Sequence, residues 1–92
     1  MGEEYIRSSH NGLERIDALL NDFDSIRIVL YLDKYNPNVL LSQLEENLNI
    51  DRATIAKKMD LLIKNEFVIN DKGKFKLSNF GKVTATNLKR LA

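Results

Sequence analysis

The 92-residue chain contains no cysteine, one histidine, one proline and four glycines. Without cysteine there is no disulfide framework, no thiolate zinc site and no cysteine nucleophile. The one histidine, His10, lies in an opening stretch without periodicity and is not expected to act as a base or metal ligand. The glycines are scattered and form no phosphate-cradling loop, and no cluster of side chains has metal-ligand spacing. Glu45 and Glu46 are adjacent, so they occupy different parts of a helix surface and are no catalytic pair. No apolar run approaches the ~20 residues of a membrane helix. The opening "MGEEYIRSSH" is acidic before it is basic and lacks the apolar centre of a signal peptide. These absences lead us to expect a cytoplasmic protein that is not an enzyme, needs no cofactor and binds no metal or membrane.

What is present describes an ordinary globular chain, 43% hydrophobic and 29% charged, with enough apolar material for one modest core. One domain is expected over residues 13–92, after a flexible first 12 residues. The net charge of +1 hides an asymmetry. Residues 1–50 carry four basic side chains against nine acidic ones, and residues 51–92 carry ten against four. A basic half of this kind points to a polyanionic partner, although sequence halves need not be spatial halves.

The periodicity gives helices first. "NGLERIDALLNDF" places Leu13, Ile16, Leu19, Leu20 and Phe23 in an apolar stripe. "DSIRIVLYLDKY" is apolar on most sides and reads as a central helix capped by Asp24 or Ser25, ended by Pro37. In "LLSQLEENLNI", Ser42 and Glu45 have capping-box spacing, with Leu44 and Leu48 facing the core. Asn49 tolerates the positive φ of a tight turn, and Asp51 can cap the helix that follows. About three residues then separate two helices, which forces a sharp angle between them.

That next helix, at about 51–65, carries the most informative pattern. At about 100° per residue, Ile55, Met59 and Leu62 form a buried stripe, while Ala53, Lys57, Asp60 and Lys64 lie opposite. Small residues near an amino end let a helix backbone approach base edges, hydrogen-bonding side chains read them, and lysines meet phosphates. Arg52, Ala53, Thr54, Lys57 and Lys58 fit this demand, with Thr54 and Lys57 the expected base contacts and Lys58 the phosphate contact. Taken alone, a basic amphipathic helix is more often a solvated surface helix, and Asp60 weighs against a pure phosphate surface.

After it the period changes to two. "FVINDKGKFKL" reads as a hairpin with "NDKG" as the turn, and Phe75 and Leu77 alternate with Lys74 and Lys76. Lys72, Lys74 and Lys76 would face a phosphate backbone, or else merely protect a strand edge. "SNFGKVTATNLKRLA" closes the chain as a helix capped by Ser78, with Phe80, Val83, Leu88 and Leu91 on one side. The expected fold class is mainly α with a small β-hairpin, an α+β domain.

The order helix, short strand, helix, tight turn, helix, hairpin resembles the winged helix-turn-helix domain. The stretch "LLSQLEENLNIDRATIAKKMDLLIKNEFVI" carries the resemblance, which is to bacterial and archaeal transcriptional regulators of the MarR/ArsR type. Leu41, Ser42, Leu44, Leu48, Ile50, Thr54, Ile55, Met59, Leu62, Phe67 and Val68 fall in step with that pattern, and Leu77, Ser78 and Gly81 match the opening of a terminal helix. Glu45, Asn49 and Glu66 depart from it, and Asn65 is expected to take the left-handed position in place of the usual glycine. The resemblance implies a recognition helix at about 51–65, a wing at about 67–77, a terminal helix at about 78–91, and sequence-specific binding of double-stranded DNA in transcription regulation. A homodimer would follow, because one short helix reads few base pairs. Leu13, Ile16, Leu20, Val83, Leu88 and Leu91, on the first and last helices, are the expected interface unless they cap their own core. Leu61 is left outside the groove. The competing expectation is a winged-helix protein-interaction module of a larger complex.

Overall fold

The computed structural model describes residues 14–35 and 37–91. Among them, α1 (14–20), α2 (Phe23–Tyr35), β1 (Val39–Leu40), α3 (Leu41–Leu48), α4 (Arg52–Lys64), β2 (Val68–Asp71), β3 (Lys74–Leu77) and α5 (Asn79–Leu91) follow in order. The protein is mainly helical with one small antiparallel sheet, an α+β arrangement. No helix among the described residues is long and apolar enough to cross a membrane.

The core forms where α2 meets everything else. Ile28, Val29 and Leu32 of α2 are fully buried, and Leu44, Ile55, Met59, Leu62, Val39, Val68 and Leu77 close around them. Each such side chain contributes about 1.5–3 kcal/mol by leaving water. Phe67 is equally buried and stacks on Phe80 with ring centroids 4.8 Å apart, which ties the end of α4 to α5.

The expected first helix does not continue to Phe23. The Asn21 amide and side chain both donate to the Asp17 carbonyl, and the Asp22 carboxylate accepts from the Ser25 N–H at 3.2 Å. Two short polar side chains thus draw the backbone out of the helix and start the next one. Asp22, rather than Asp24 or Ser25, caps α2, and Ser25 is buried. Leu19 remains in the core, but Leu20 and Phe23 are exposed, Phe23 at 73%. Leu13 and the first 12 residues lie outside the described residues.

The cap of α3 also differs from expectation. The β1 ladder runs directly into the helix, so Ser42 is already helical, and Leu40 occupies the capping position. Gln43, not Glu45, reaches back to accept from the Leu40 N–H at 2.8 Å. Asn49 ends α3 at φ 56°, as its tolerance of that region predicts. At the end of α4 the left-handed residue is Glu66 (φ 67°), while Asn65 stays at φ −88°. The Glu66 N–H bonds to Ile63 and the Phe67 N–H to Leu62, a Schellman closure centred one residue later than the sequence suggests.

The sheet has the order β1-β3-β2. Asp71 pairs with Lys74, so the turn is only Lys72–Gly73, both at positive φ, as a type I′ turn requires. Asn70 supports it by accepting from the Gly73 N–H at 2.9 Å. The expected alternation holds along β3, with Phe75 and Leu77 buried and Lys74 exposed. Ser78 caps α5, accepting from the Gly81 N–H at 2.9 Å. The inward face of α5 is made by Gly81, Thr84 and Ala85, with Phe80 and Leu88 half-buried against the core, whereas Val83 and Leu91 are 60% and 78% exposed. Gly81 has no side chain, and this allows the helix to lie directly against the Phe67 backbone.

Candidate nucleic-acid interface

Asp51 sets the start of α4. Its carboxylate accepts from the Thr54 N–H at 3.1 Å and from the Thr54 hydroxyl at 2.7 Å, and these bonds hold Asp51 below the ordinary carboxylate range. The cap leaves Arg52 and Ala53 exposed in the first turn. One consequence bears on base reading: the Thr54 hydroxyl proton is committed to Asp51, so Thr54 offers a partner only its methyl and remaining lone pairs.

The stripe of Ile55, Met59 and Leu62 is buried, and the opposite face of Ala53, Ala56, Lys57, Asp60, Leu61 and Lys64 is exposed. Lys58 does not join that face. Its Nζ lies 2.7 Å from Asp22 Oδ2, and only a quarter of its side chain is accessible. On the helix Lys58 borders the buried stripe, so it reaches back over the core to the junction of α1 and α2 instead of outward. Lys64, which the sequence placed outward but not among the contact residues, belongs to the exposed set.

Asp22 therefore has two tasks, capping α2 and holding α4 through Lys58. Partial burial pushes its carboxyl up, but the bonds from Lys58 and the Ser25 N–H outweigh that and leave it below its ordinary value. The same contact raises Lys58. A carboxylate with a depressed folded-state pKa contributes stability above its unfolded pKa, and that contribution is lost as pH falls through the folded value. Thermal melts should show a decline in stability below about pH 4, and Asp22→Asn should flatten that part of the curve. An unchanged acid profile in the variant would remove Asp22 from this role.

The hairpin carries a second set of cations. Lys74 stands opposite Leu40 on one side and Asp71 on the other, and Lys76 stands opposite Ile69. Directly paired residues share a face, so Leu40, Ile69, Asp71, Lys74 and Lys76 form the outer face of the sheet, away from Phe75 and Leu77. Lys72 is at the tip. Leu40, which lies beside Lys74 in the sheet, immediately precedes α3, and Arg52 follows the turn that ends it, so α3 connects the two sets of cations.

Ion pairing divides the positive side chains unevenly. Arg15 pairs with Glu66 at 2.6 Å, Arg27 with Asp24 at 3.7 Å, Lys58 with Asp22 at 2.7 Å and Lys89 with Asp33 at 2.7 Å. Among the described residues, nine cations make no ion pair: Arg52, Lys57, Lys64, Lys72, Lys74 and Lys76 on α4 and the hairpin, and Lys34, Lys82 and Arg90 elsewhere. The Arg15 contact also neutralises Glu66, the acid closest to the start of the hairpin. Asp60 and Asp71 remain as the acidic side chains on these two elements. Sequence periodicity gave no sign of Arg15 or Asp22 as organising residues, because their partners lie 51 and 36 positions away.

Among the described residues no three His, Asp or Glu side chains gather to hold a metal ion. Comparison with family models, with curated proteins and with solved structures finds no match to this chain.

Proposed function

We propose that the protein is a winged helix-turn-helix DNA-binding protein and a cytoplasmic regulator of transcription. In this reading α4 is the recognition helix in the major groove, and the β2–β3 hairpin is a wing on the phosphate backbone. The observation that carries it is the set of six cations on α4 and the hairpin that make no ion pair among the described residues, while the four pairs draw their cations from elsewhere or from the inward flank of α4. Arg52, Ala53 and Lys57 are the residues offered to base edges, Thr54 contributes its methyl, and Lys64, Lys72, Lys74 and Lys76 are offered to phosphates. Lys58 acts from behind, through Asp22.

Two copies would read two half-sites about one helical turn apart. The exposed Leu20, Val83 and Leu91 on α1 and α5, beside half-buried Ile16 and Leu88, supply apolar surface for such a dimer. A specific observation favours a second reading: Leu61 is 45% exposed on α4 and Asp60 stands beside it, a pair better suited to a protein partner than to a groove. Adding duplex DNA to isotopically labelled protein separates the two readings. Amide shifts over residues 52–57 and 71–76 are expected; shifts confined to the neighbourhood of Leu61, or none, would reject the DNA reading.

A further inference from the structure

On the flank of α2 that faces α3 there is a shallow groove, lined in part by Arg27, Tyr31, Lys34, Tyr35, Asn47 and Leu48. Two of the chain's three tyrosines meet in it, with ring centroids 4.5 Å apart and planes tilted by 40°. Lys34 Nζ lies 5.3 Å from the centroid of the Tyr35 ring and makes no ion pair among the described residues. Asn47 Nδ2 donates to the Tyr31 hydroxyl at 3.1 Å, and the hydroxyl proton has no acceptor among the described residues. At the other end, the Arg27 guanidinium donates to the Leu48 carbonyl, and a second nitrogen stands 3.7 Å from Asp24. Asp33, the other acid on this part of α2, is held by Lys89.

These groups face a common ligand chemistry. Aromatic faces accept a flat ring by stacking, worth most when the ring is electron-poor or carries a cation nearby. An unpaired ammonium, an unused phenolic proton and the free N–H groups of a guanidinium accept an anion. The stripe Arg27, Tyr31, Lys34 runs about 10 Å along the helix, so a ring on Tyr35 and an anionic group nearer Tyr31 can be met together. A cover for the core would not need this arrangement, since Tyr35 leaves 47% of its surface in solvent.

We propose that the groove between α2 and α3 is a binding site for a small anion joined to a flat aromatic ring, the chemistry shared by a mononucleotide and an aromatic carboxylate. The ring stacks on Tyr35, and the anion is met by Lys34 and the Tyr31 hydroxyl, with Arg27 within reach. Binding touches the turn ahead of α4, because Arg27 holds the carbonyl of Leu48, the last residue of α3. The site is independent of whether α4 and the hairpin bind DNA.

The test is an amide-shift titration of the whole chain with four probes: adenosine monophosphate, indole-3-acetate, adenosine and inorganic phosphate. Saturable shifts at Tyr31, Lys34, Tyr35 and Asn47, extending to Leu48 and Asn49, are expected with one or both of the first two. Which of them binds more tightly assigns the ligand to the nucleotide or the carboxylate source. Tyr35→Ala should weaken that binding about tenfold, and Lys34→Gln about three- to fivefold; both side chains are exposed, so the fold should persist, as the unchanged remainder of the spectrum would verify. Equal binding by phosphate alone or by adenosine alone would overturn the proposal. So would shifts confined to α4 and the hairpin, no shifts at all, or variants that bind like the parent.

Discussion

Gly81→Ala should destabilise the protein by about 3 kcal/mol, although alanine is the better helix former. A Cβ at position 81 would stand 2.2 Å from the Phe67 carbonyl oxygen and 3.1 Å from Leu77 Cδ2. The first of these is backbone, and it cannot yield freely. The Phe67 carbonyl accepts from the Ser78 N–H at 3.0 Å, and the Ser78 hydroxyl donates to the neighbouring Glu66 carbonyl at 2.5 Å, so moving this backbone loosens the cap of α5. Phe67 is itself 1% exposed and stacked on Phe80, so a shift of its backbone also disturbs the core. The gain in helix propensity, about 1 kcal/mol, is smaller than this cost. For a domain of this size each kcal/mol moves Tm by roughly 4–8 °C, so a drop of about 12–24 °C is expected. A melting temperature equal to or above that of the parent would show that α5 does not lie against Phe67 as described. Thr86→Ala, on the exposed side of the same helix, serves as the control and should change little.

The double substitution Lys64→Ala with Lys74→Ala, two of the four lysines offered to phosphates, should remove about half of the salt dependence of DNA binding. If about four phosphates are met per protomer, log K falls against log salt with a slope near −3.6, and losing two contacts brings it near −1.8. Over a fourfold rise in salt the parent then loses about 150-fold in affinity and the variant about 12-fold. Neither lysine makes an ion pair among the described residues, and both are exposed, so stability should stay within about 0.5 kcal/mol of the parent. Lys82→Ala with Arg90→Ala, two exposed cations on α5, should leave both affinity and slope unchanged if α4 and the hairpin carry the contacts. Equal losses from the two pairs of substitutions would mean a diffuse electrostatic attraction with no defined surface.

The elements most legible in the sequence were those whose signals are local. Asp51 and Thr54 sit three residues apart, and the stripe Ile55, Met59, Leu62 repeats at helical period, so α4 could be placed to within a residue at its start. Alternation fixed β3 in the same way, and Asn49 announced its left-handed turn. What sequence reading could not separate were neighbours with similar local credentials. Ser42 and Gln43 both offer an oxygen near the start of α3, and only the path of the chain out of β1 decides for Gln43. Asp22 and Asp24 are both plausible caps, and the break at Asn21 selects Asp22. Lys57 and Lys58 are adjacent cations, but one faces solvent and the other reaches Asp22, a partner invisible at a separation of 36 residues. The apolar stripe of α5 left open whether it meets a partner or the core; close packing against Phe67 turns the small residues Gly81, Thr84 and Ala85 inward and leaves Val83 and Leu91 exposed.

Whether α4 and the hairpin present a surface for duplex DNA is decided most simply by equilibrium titration of a labelled duplex of random sequence, about 20 base pairs long, at several salt concentrations. Saturable binding at low salt that weakens with a slope near −3.6 per protomer is the expected result. Absence of binding at low salt, or an affinity indifferent to salt, would contradict it.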